Sequence, residues 1–140
     1  MSIVKWNDEF KTDVCGVDCQ RKALIRMLSG LYGIIEKSRD REVVLEAAGF
    51  FADFAVENFQ CEEKLMRDQG YPTYESHKKQ HDEFIKRVSE IVKQFNETGD
   101  TSSLTESIQD LIVPWLTDHF TKTDKEMAGF IADRLSGKVA

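Results

Sequence analysis

Residues that build linkers or covalent cross-links are scarce in this chain. The 140 residues include two prolines and eight glycines, which leaves little room for flexible linkers or low-complexity segments. Cysteine occurs three times, an odd number that excludes a complete disulfide framework. This cysteine usage favours a reducing cytoplasm as the compartment.

Long apolar runs and an excess of positive charge are also lacking. No apolar run reaches the ~18 residues of a membrane span, and residues 1–10 lack the apolar stretch of a secretory signal peptide. The formal net charge of −6 argues against nucleic-acid binding, because phosphate contacts need clustered Lys and Arg. We therefore expect a cytoplasmic protein without a nucleic-acid or membrane partner; a partner protein is not indicated.

The chain instead contains four long segments with helical periodicity. Apolar residues recur every three or four positions over about 18–37, 40–69, 73–97 and 103–136. Asp18 and Asp40 are candidate N-caps of the first two helices, and Gly70 predicts the end of the second. The composition of residues 96–103 is typical of a turn. Pro114 lies inside the fourth segment, where it predicts a kink or a split.

These segments predict the architecture. No run alternates with a period of two for long enough to indicate a strand. Four helices with short connections pack best as an antiparallel four-helix bundle, so we predict an all-α fold and a single domain over residues 1–140. Residues 18–136 form the predicted bundle. Residues 1–17, which hold Trp6 and Phe10, are predicted to form an extended N-terminal arm on its surface.

Polar residues that interrupt the apolar stripes are the most informative feature. His77 and His81, for example, continue the line of Phe84 and Val88. The inward-facing polar residues predicted in this way are Arg21, Asn58, Glu62, His77, His81, His119 and Asp124. A buried carboxylate without a partner costs several kcal/mol. Two carboxylates and three imidazoles in one core therefore predict a shared cation.

The residue types indicate which cation to expect. Mixed imidazole and carboxylate ligation suits iron, manganese or zinc. The i, i+4 spacing of His77 and His81 alone is weak evidence, because such pairs also arise by chance on surfaces. Together with the other three residues it predicts a metal site. The predicted ligands are Glu62, His77, His81, His119 and Asp124.

Three stretches of the chain resemble the bacterial hemerythrins. They are VDCQRKAL (17–24), NFQCEEKLMRDQGYPTYESHKKQHDEF (58–84) and WLTDHFTKTD (115–124). They occur in the family's order and spacing, and Trp6 matches an aromatic residue of the family's N-terminal arm. The resemblance implies a four-helix bundle around a non-haem di-iron centre that binds oxygen reversibly.

The resemblance also implies roles for individual residues. In the family, one iron takes three histidines, the other takes two, and a glutamate and an aspartate bridge them. His77, His81 and His119 match the histidines of the first iron. Glu62 matches the bridging glutamate and Asp124 the bridging aspartate.

Both histidines of the family's second iron are replaced in this chain. Arg21 stands at the first-helix position and Asn58 at the second-helix position. Arginine has no acceptor atom and keeps its proton, and an asparagine oxygen substitutes poorly for imidazole. We therefore predict a single metal, with Arg21 as a built-in cation beside both carboxylates and Asn58 donating a further hydrogen bond. In the alternative, Arg21 extends its charge to solvent and Asn58 only fills a packing gap.

The predicted function follows from this ligand set. We expect a hemerythrin-like non-haem iron-binding protein, not an enzyme, with one iron per chain and zinc or manganese as alternative metals. Its expected partner is a small diatomic ligand (O2 or NO) or a small anion, bound for storage or sensing. The alternatives are a di-iron reversible oxygen carrier, a metal-stabilised structural or interaction bundle without gas binding, and oxygen or peroxide chemistry at a single iron. A further alternative is a metal-free core in which Arg21 and its neighbours form a closed polar network.

Spacing assigns simpler roles to the remaining residues. The acidic residues predicted to be solvent-exposed are Glu63, Glu75, Asp82 and Glu83, and the predicted core walls are Phe51, Phe54, Phe59, Phe84 and Trp115. Cys15, Cys19 and Cys61 are predicted to be small buried hydrophobic residues, with a redox or ligand role as the alternative.

Overall fold

The computed structural model describes residues 5–12, 14–38 and 40–137, without the side chain of Cys15. Three helices, α1 (Cys15–Lys37), α2 (Arg41–Asp68) and α3 (Tyr74–Thr98), are followed by a fourth helix, α4, over residues 101–136. α4 consists of the consecutive segments Thr101–Ser107, Ile108–Ile112, Val113–Asp118, His119–Thr123 and Asp124–Ser136. A short 3-10 turn, Asp8–Phe10, precedes α1.

The helices form a closed antiparallel bundle. α1 packs against α2, α2 against α3, α3 against α4, and α4 returns to contact α1. This arrangement confirms the predicted four-helix bundle. Within the described residues, none of the helices has the length and apolar character needed to cross a membrane.

The core is divided into two apolar clusters. The larger includes Leu24, Phe59 and Phe84, and the smaller is formed by Val17, Met66, Tyr71, Met127 and Ile131. The inward-facing polar residues lie between these clusters along the helices. A layer of buried polar groups in this position must be satisfied within the protein, because the apolar layers on either side exclude water.

The N-terminal boundary of α1 differs from the prediction. α1 begins at Cys15 rather than near residue 18, and Asp18 is not its N-cap. The Asp18 carboxylate instead accepts hydrogen bonds from the backbone N–H of Thr12 at 2.9 Å and from its hydroxyl at 2.6 Å. Asp18 therefore ties the arm to the helix. Asp40, by contrast, caps α2 as predicted by accepting from the Glu42 N–H.

The turn between α3 and α4 is much shorter than the predicted stretch 96–103. α3 continues to Thr98 and ends at Gly99, whose φ of 67° is the left-handed conformation that glycine adopts without strain. Asp100 then accepts hydrogen bonds from the N–H groups of Ser102 and Ser103 and starts α4. The polar composition around residue 100 thus encodes two helix caps rather than a long loop.

Pro114 neither breaks nor splits α4. The helix widens into a π turn over Ile108–Ile112, where the Val113 N–H donates to the Ile108 carbonyl five residues earlier. Pro114 lies in the first turn of the following α segment. A proline is tolerated there because its missing N–H would not be needed.

The arm packs against the bundle through aromatic residues. Phe10 is buried and its ring makes edge contacts with Phe120 at 5.5 Å and with Trp6 at 5.7 Å. Phe120 in turn lies under the guanidinium of Arg21, 5.3 Å from the ring centre. The arm therefore covers the back of the polar layer, although its central part is a 3-10 turn rather than fully extended.

Candidate metal centre

The structure brings the five predicted ligand residues to one point in the core. Each residue offers one ligand atom, and these atoms all lie within 4.8 Å of one another. All five residues are buried. Their side chains are Glu62, His77, His81, His119 and Asp124.

The inner oxygen atoms of the two carboxylates face the imidazole rings. Glu62 Oε1 lies 2.7 Å from His77 Nε2 and 3.0 Å from His81 Nε2. Asp124 Oδ1 lies 3.0 Å from His119 Nε2 and 3.2 Å from His77 Nε2. The five atoms therefore surround a common position.

Hydrogen bonds at the outer edges of two rings determine which nitrogen carries the proton. His81 Nδ1 lies 2.8 Å from a Glu63 carboxylate oxygen, and His119 Nδ1 lies 3.0 Å from Gln80 Oε1. Both partners are acceptors, so each neutral ring places its only N–H on Nδ1. The two Nε2 lone pairs then face each other at 3.1 Å.

This arrangement fits a cation. Among the described residues, Glu62 Oε1, Asp124 Oδ1 and His77 Nε2 are buried without a hydrogen-bond partner. Lone pairs of the His81 and His119 rings and two carboxylate oxygens therefore point at one position, and the His77 ring presents its Nε2 to the same position. A metal ion bound by imidazole and carboxylate would satisfy all of them at once.

A second π turn places two of these residues on the same face of α4. Over His119–Thr123 the helix closes a wide turn, in which the Asp124 N–H donates to the His119 carbonyl. On a regular α-helix, residues five positions apart would point roughly 140° away from each other. The π turn instead directs His119 and Asp124 to the same point, as such turns often do at functional sites.

Arg21 occupies the opposite side of both carboxylates. Its side chain is 0% exposed. Arg21 Nε donates to Asp124 Oδ2 at 2.5 Å, and Nη2 contacts Glu62 Oε2. The structure therefore contradicts the alternative in which this charge reaches solvent.

Asn58 completes the surroundings of the guanidinium. Its side-chain oxygen accepts a hydrogen bond from Arg21 Nη1. Its amide group donates to the Gln20 carbonyl at 3.1 Å, and so away from the carboxylates. Asn58 is buried, and both the oxygen and the nitrogen of its amide are hydrogen-bonded. Its role is therefore not limited to filling a packing gap.

Glu63 corrects the sequence analysis, which placed it on a solvated face. Glu63 is buried and bonds His81. The sequence could have indicated that Glu63 is buried, because it lies four residues after Phe59 and three before Met66, both of which are buried. The other three acidic residues of that group, Glu75, Asp82 and Glu83, are exposed as predicted.

Gln80 is a further residue of the site, and its polar position on α3 did not indicate this role in the sequence. Gln80 accepts hydrogen bonds from His119 Nδ1 and from the Thr123 hydroxyl, each at 3.0 Å. The amide thus links α3 to the π turn of α4. Partners of this kind fix the orientation and the protonated nitrogen of a ligand histidine.

Aromatic rings hold two of the histidines in place. Phe59 stacks on His81 with ring centres 4.0 Å apart, and Trp115 stacks on His119 at 4.5 Å. Phe51, Phe59 and Phe84 are buried as predicted, whereas Phe54 and Trp115 are only partly buried. These rings restrict the imidazoles and limit access of water to the centre.

The cysteines do not take part in the described cluster. Cys19 and Cys61 are exposed, which is contrary to their predicted burial, and the Cys15 side chain lies outside the described residues. The cluster consists of nitrogen and oxygen donors from histidine, glutamate and aspartate.

Burial and charge determine the protonation of the site. Burial lowers the pKa of His81 to about 4 and also lowers the pKa of His119, so both rings are neutral at neutral pH. Burial would raise the pKa of Asp124, but Arg21 and His119 outweigh it and hold this pKa well below its ordinary value. These three side chains are therefore in the protonation states that metal binding requires.

In the metal-free protein, we expect the free energy of unfolding to fall as the pH falls from about 6.5 to about 4. The unfolded chain takes up a proton on His81 in this range before the folded chain does, so acid favours unfolding. The shift corresponds to roughly 3 kcal/mol. Urea titrations above and below this range measure it. Equal stabilities, or a pH dependence unchanged in His81→Phe, would contradict the assignment.

Replacing Gln80 by leucine should reduce metal affinity roughly 10–100-fold, as is typical for loss of a partner behind a ligand histidine. The reason is that His119 Nδ1 would lose its acceptor while the ligand itself remains. Competition with a chelator of known affinity measures the change. Gln94→Leu, at an exposed glutamine of the same helix, is the matched control. Equal affinities in the two variants would show that Gln80 does not orient His119.

Comparison with known proteins identifies the family of this chain. The sequence model described as "Hemerythrin HHE cation binding domain" matches residues 19–131. The chain belongs to the hemerythrin family. The family match agrees with the prediction that the chain is a metal-binding protein of the non-haem iron type rather than an enzyme.

Individual relatives cover most of the chain. It is 29% identical to a bacteriohemerythrin of Stenotrophomonas maltophilia over 136 residues, which is 97% of this chain and 86% of the relative. It is 29% identical to a bacteriohemerythrin of Pseudomonas aeruginosa, over 94% of this chain and 81% of the relative. Another bacteriohemerythrin, from Methylococcus capsulatus, is 27% identical over 89% of this chain and 94% of the relative.

Solved structures support the fold. Two crystal structures of hemerythrin point mutants superpose with TM-scores of 0.80 at 23% identity, covering 94% of this chain and 98% of theirs. At this identity the likeness supports the bundle and not the details of the site.

Proposed function

We propose that this hemerythrin-family domain binds one non-haem iron per chain and that the centre binds a small diatomic ligand, O2 or NO, for storage or sensing. The proposed ligands are Glu62, His77, His81, His119 and Asp124. The observation that carries the proposal is the buried guanidinium of Arg21 on the outer oxygens of both carboxylates. Those are the oxygens that a second iron would need.

The charges of the buried groups favour one ion. The guanidinium cancels one of the two carboxylate charges, and the rings of His81 and His119 are neutral at neutral pH. With the Glu63 carboxylate behind His81 counted as well, one divalent ion makes these buried groups electrically neutral. A second divalent ion would add two more charges beside a permanent cation, and buried charge of one sign is costly.

A surface cavity supports access by a small ligand. A cavity of about 290 Å³ borders His81, Glu63 and Phe59. A larger cavity of about 420 Å³ lies on α1 and α2, and its lining includes none of the five proposed ligands. The 290 Å³ cavity therefore brings open space to the His81 ring, which is one of the five proposed ligands.

The choice between the two gases depends on the number of irons. The family resemblance implies that oxygen carriage draws one electron from each of two irons, and a single iron supplies only one of them. Nitric oxide needs one iron with an open position. The proposal therefore favours NO over reversible oxygen carriage of the family type.

The test is to load the protein with ferrous iron under anaerobic conditions, count iron per chain, and add NO. We expect about one iron per chain and an NO-dependent absorption and electron paramagnetic resonance signal. The exposed-site variant Glu83→Gln should behave like the unmodified protein. Two irons per chain, or iron binding without any response to NO or O2, would contradict the proposal, and the latter would favour a structural metal.

A further inference from the structure

We infer that Arg21 and Glu63 set the oxidation state of the proposed centre in opposite directions: Arg21 favours a divalent over a trivalent ion, and Glu63, acting through His81, favours the trivalent ion. This inference rests on the proposed function, since it concerns the ion that the five ligands would hold. It goes beyond ligation because neither residue would touch the metal.

Arg21 provides a permanent charge that water does not screen. Its side chain is 0% exposed and shares the carboxylates of Glu62 and Asp124 with the proposed ion. Its other described contacts are uncharged, namely the amide of Asn58 and the face of the Phe120 ring. No described carboxylate other than the shared pair neutralises this charge.

The consequence is electrostatic. Oxidation of a ferrous ion removes one electron and adds one positive charge to a site that already contains a fixed cation. Two positive charges a few ångströms apart repel strongly where the effective dielectric is low. The trivalent state is therefore disfavoured relative to a site with a neutral residue at position 21.

Glu63 acts in the opposite direction. It accepts the Nδ1 hydrogen of His81 at 2.8 Å, and its side chain is 10% exposed. A carboxylate behind a ligand histidine makes the ring a stronger donor and adds negative charge near the ion. His119 offers an internal comparison, because its Nδ1 meets the neutral amide of Gln80.

The balance of the two residues has a functional meaning. Diatomic gases bind preferentially to ferrous iron, so a residue that holds the ion divalent keeps the centre ready for ligand. Glu63 lies at the cavity that borders His81, while Arg21 lies on the far side of the carboxylates. The opposing charges are thus on opposite sides of the proposed ion.

The experiment is an anaerobic redox titration of iron-loaded protein, in which each ferrous ion gives one electron to an oxidised mediator and becomes ferric. The variants are Arg21→Met, Arg21→Lys and Glu63→Gln, with Lys64→Met as the control for loss of an exposed charge. Iron per chain is counted in every sample.

Arg21→Met should lower the midpoint potential, so that the ferric-to-ferrous ratio at a fixed potential rises roughly tenfold or more. Glu63→Gln should raise the potential. Arg21→Lys should keep the midpoint potential close to that of the unmodified protein, because it keeps the positive charge. Lys64→Met should change the midpoint potential little. A structural defect would not shift two variants in opposite directions.

Several results would overturn the inference. With one iron per chain, equal potentials in Arg21→Met and Arg21→Lys, or shifts of one sign in Arg21→Met and Glu63→Gln, would refute it and leave the proposed function intact. Two irons per chain in the unmodified protein would refute the proposed function itself. If Arg21→Met fails to fold or takes up a second iron, the direction of the Glu63→Gln shift decides the question.

Discussion

Replacing Arg21 and Asn58 together by histidine should raise the iron content from one to two ions per chain. The substitution removes the guanidinium from the outer oxygens of Glu62 and Asp124 and supplies two imidazoles in its place. Both positions are buried, and Asn58 contacts the guanidinium that holds those oxygens, so the new side chains would lie next to the vacated volume. Neutral imidazole is a ligand for iron, and arginine is not.

The double variant should also gain a peroxide-type oxygen absorption band that the unmodified protein lacks, because two irons together could supply two electrons. Elemental analysis and anaerobic-to-aerobic difference spectra measure the two effects. The matched control is Lys22→His with Glu57→His, which changes the exposed neighbours of the same two positions. An iron content that stays at one in the Arg21→His, Asn58→His protein would refute the argument that the guanidinium replaces an ion.

Replacing His81 by alanine should strongly reduce metal binding. His81 contributes one of the five proposed ligands, and its Nε2 lies within 3.1 Å of both Glu62 Oε1 and His119 Nε2. Loss of a ligand should lower the affinity by more than the roughly 10–100-fold typical of a partner behind a ligand. Metal content after dialysis against a weak chelator measures the loss.

The variant also removes a ring that stacks on Phe59, so its helical content must be checked by circular dichroism. Glu83→Ala, an exposed residue two positions later on the same helix, is the control. A folded His81→Ala protein that retains its full complement of metal would show that the ligand assignment is wrong.

Periodicity was sufficient to predict the helices and the convergence of the site. The 3.6-residue spacing placed His77 and His81 on the buried face of α3, and the structure brings both to the carboxylates. It also placed Arg21 inward, although an arginine is rarely found fully buried. The prediction that the Arg21 charge stays in the core needed the family resemblance as well, since spacing alone allowed this charge to reach solvent.

The π turns of α4 could not be predicted from spacing. Spacing from neighbouring apolar residues indicated that His119 and Asp124 both face inward, but a regular α-helix would place residues five positions apart roughly 140° from each other, and the wide turn accounts for their convergence. Pro114 marked an irregularity in the right region, but the expected kink became a π turn at Ile108–Ile112. Hydrogen bonding in the folded helix, rather than local propensity, decides where such a turn forms.

The hydrogen bonds of residues outside the proposed ligand set were also not predicted from the sequence. Glu63 was predicted to be exposed because it was placed off the apolar stripes, yet its position relative to Phe59 and Met66 is that of a buried residue. Asp18 satisfied the rule for a helix cap but bonds to Thr12 instead. In both cases a tertiary hydrogen bond outweighed a local preference.

The most direct test is the number of irons bound per chain in protein purified without added metal and then loaded anaerobically with excess ferrous iron. We expect one ion, because Arg21 holds the outer oxygens of Glu62 and Asp124. A reproducible content of two ions in each chain would contradict it.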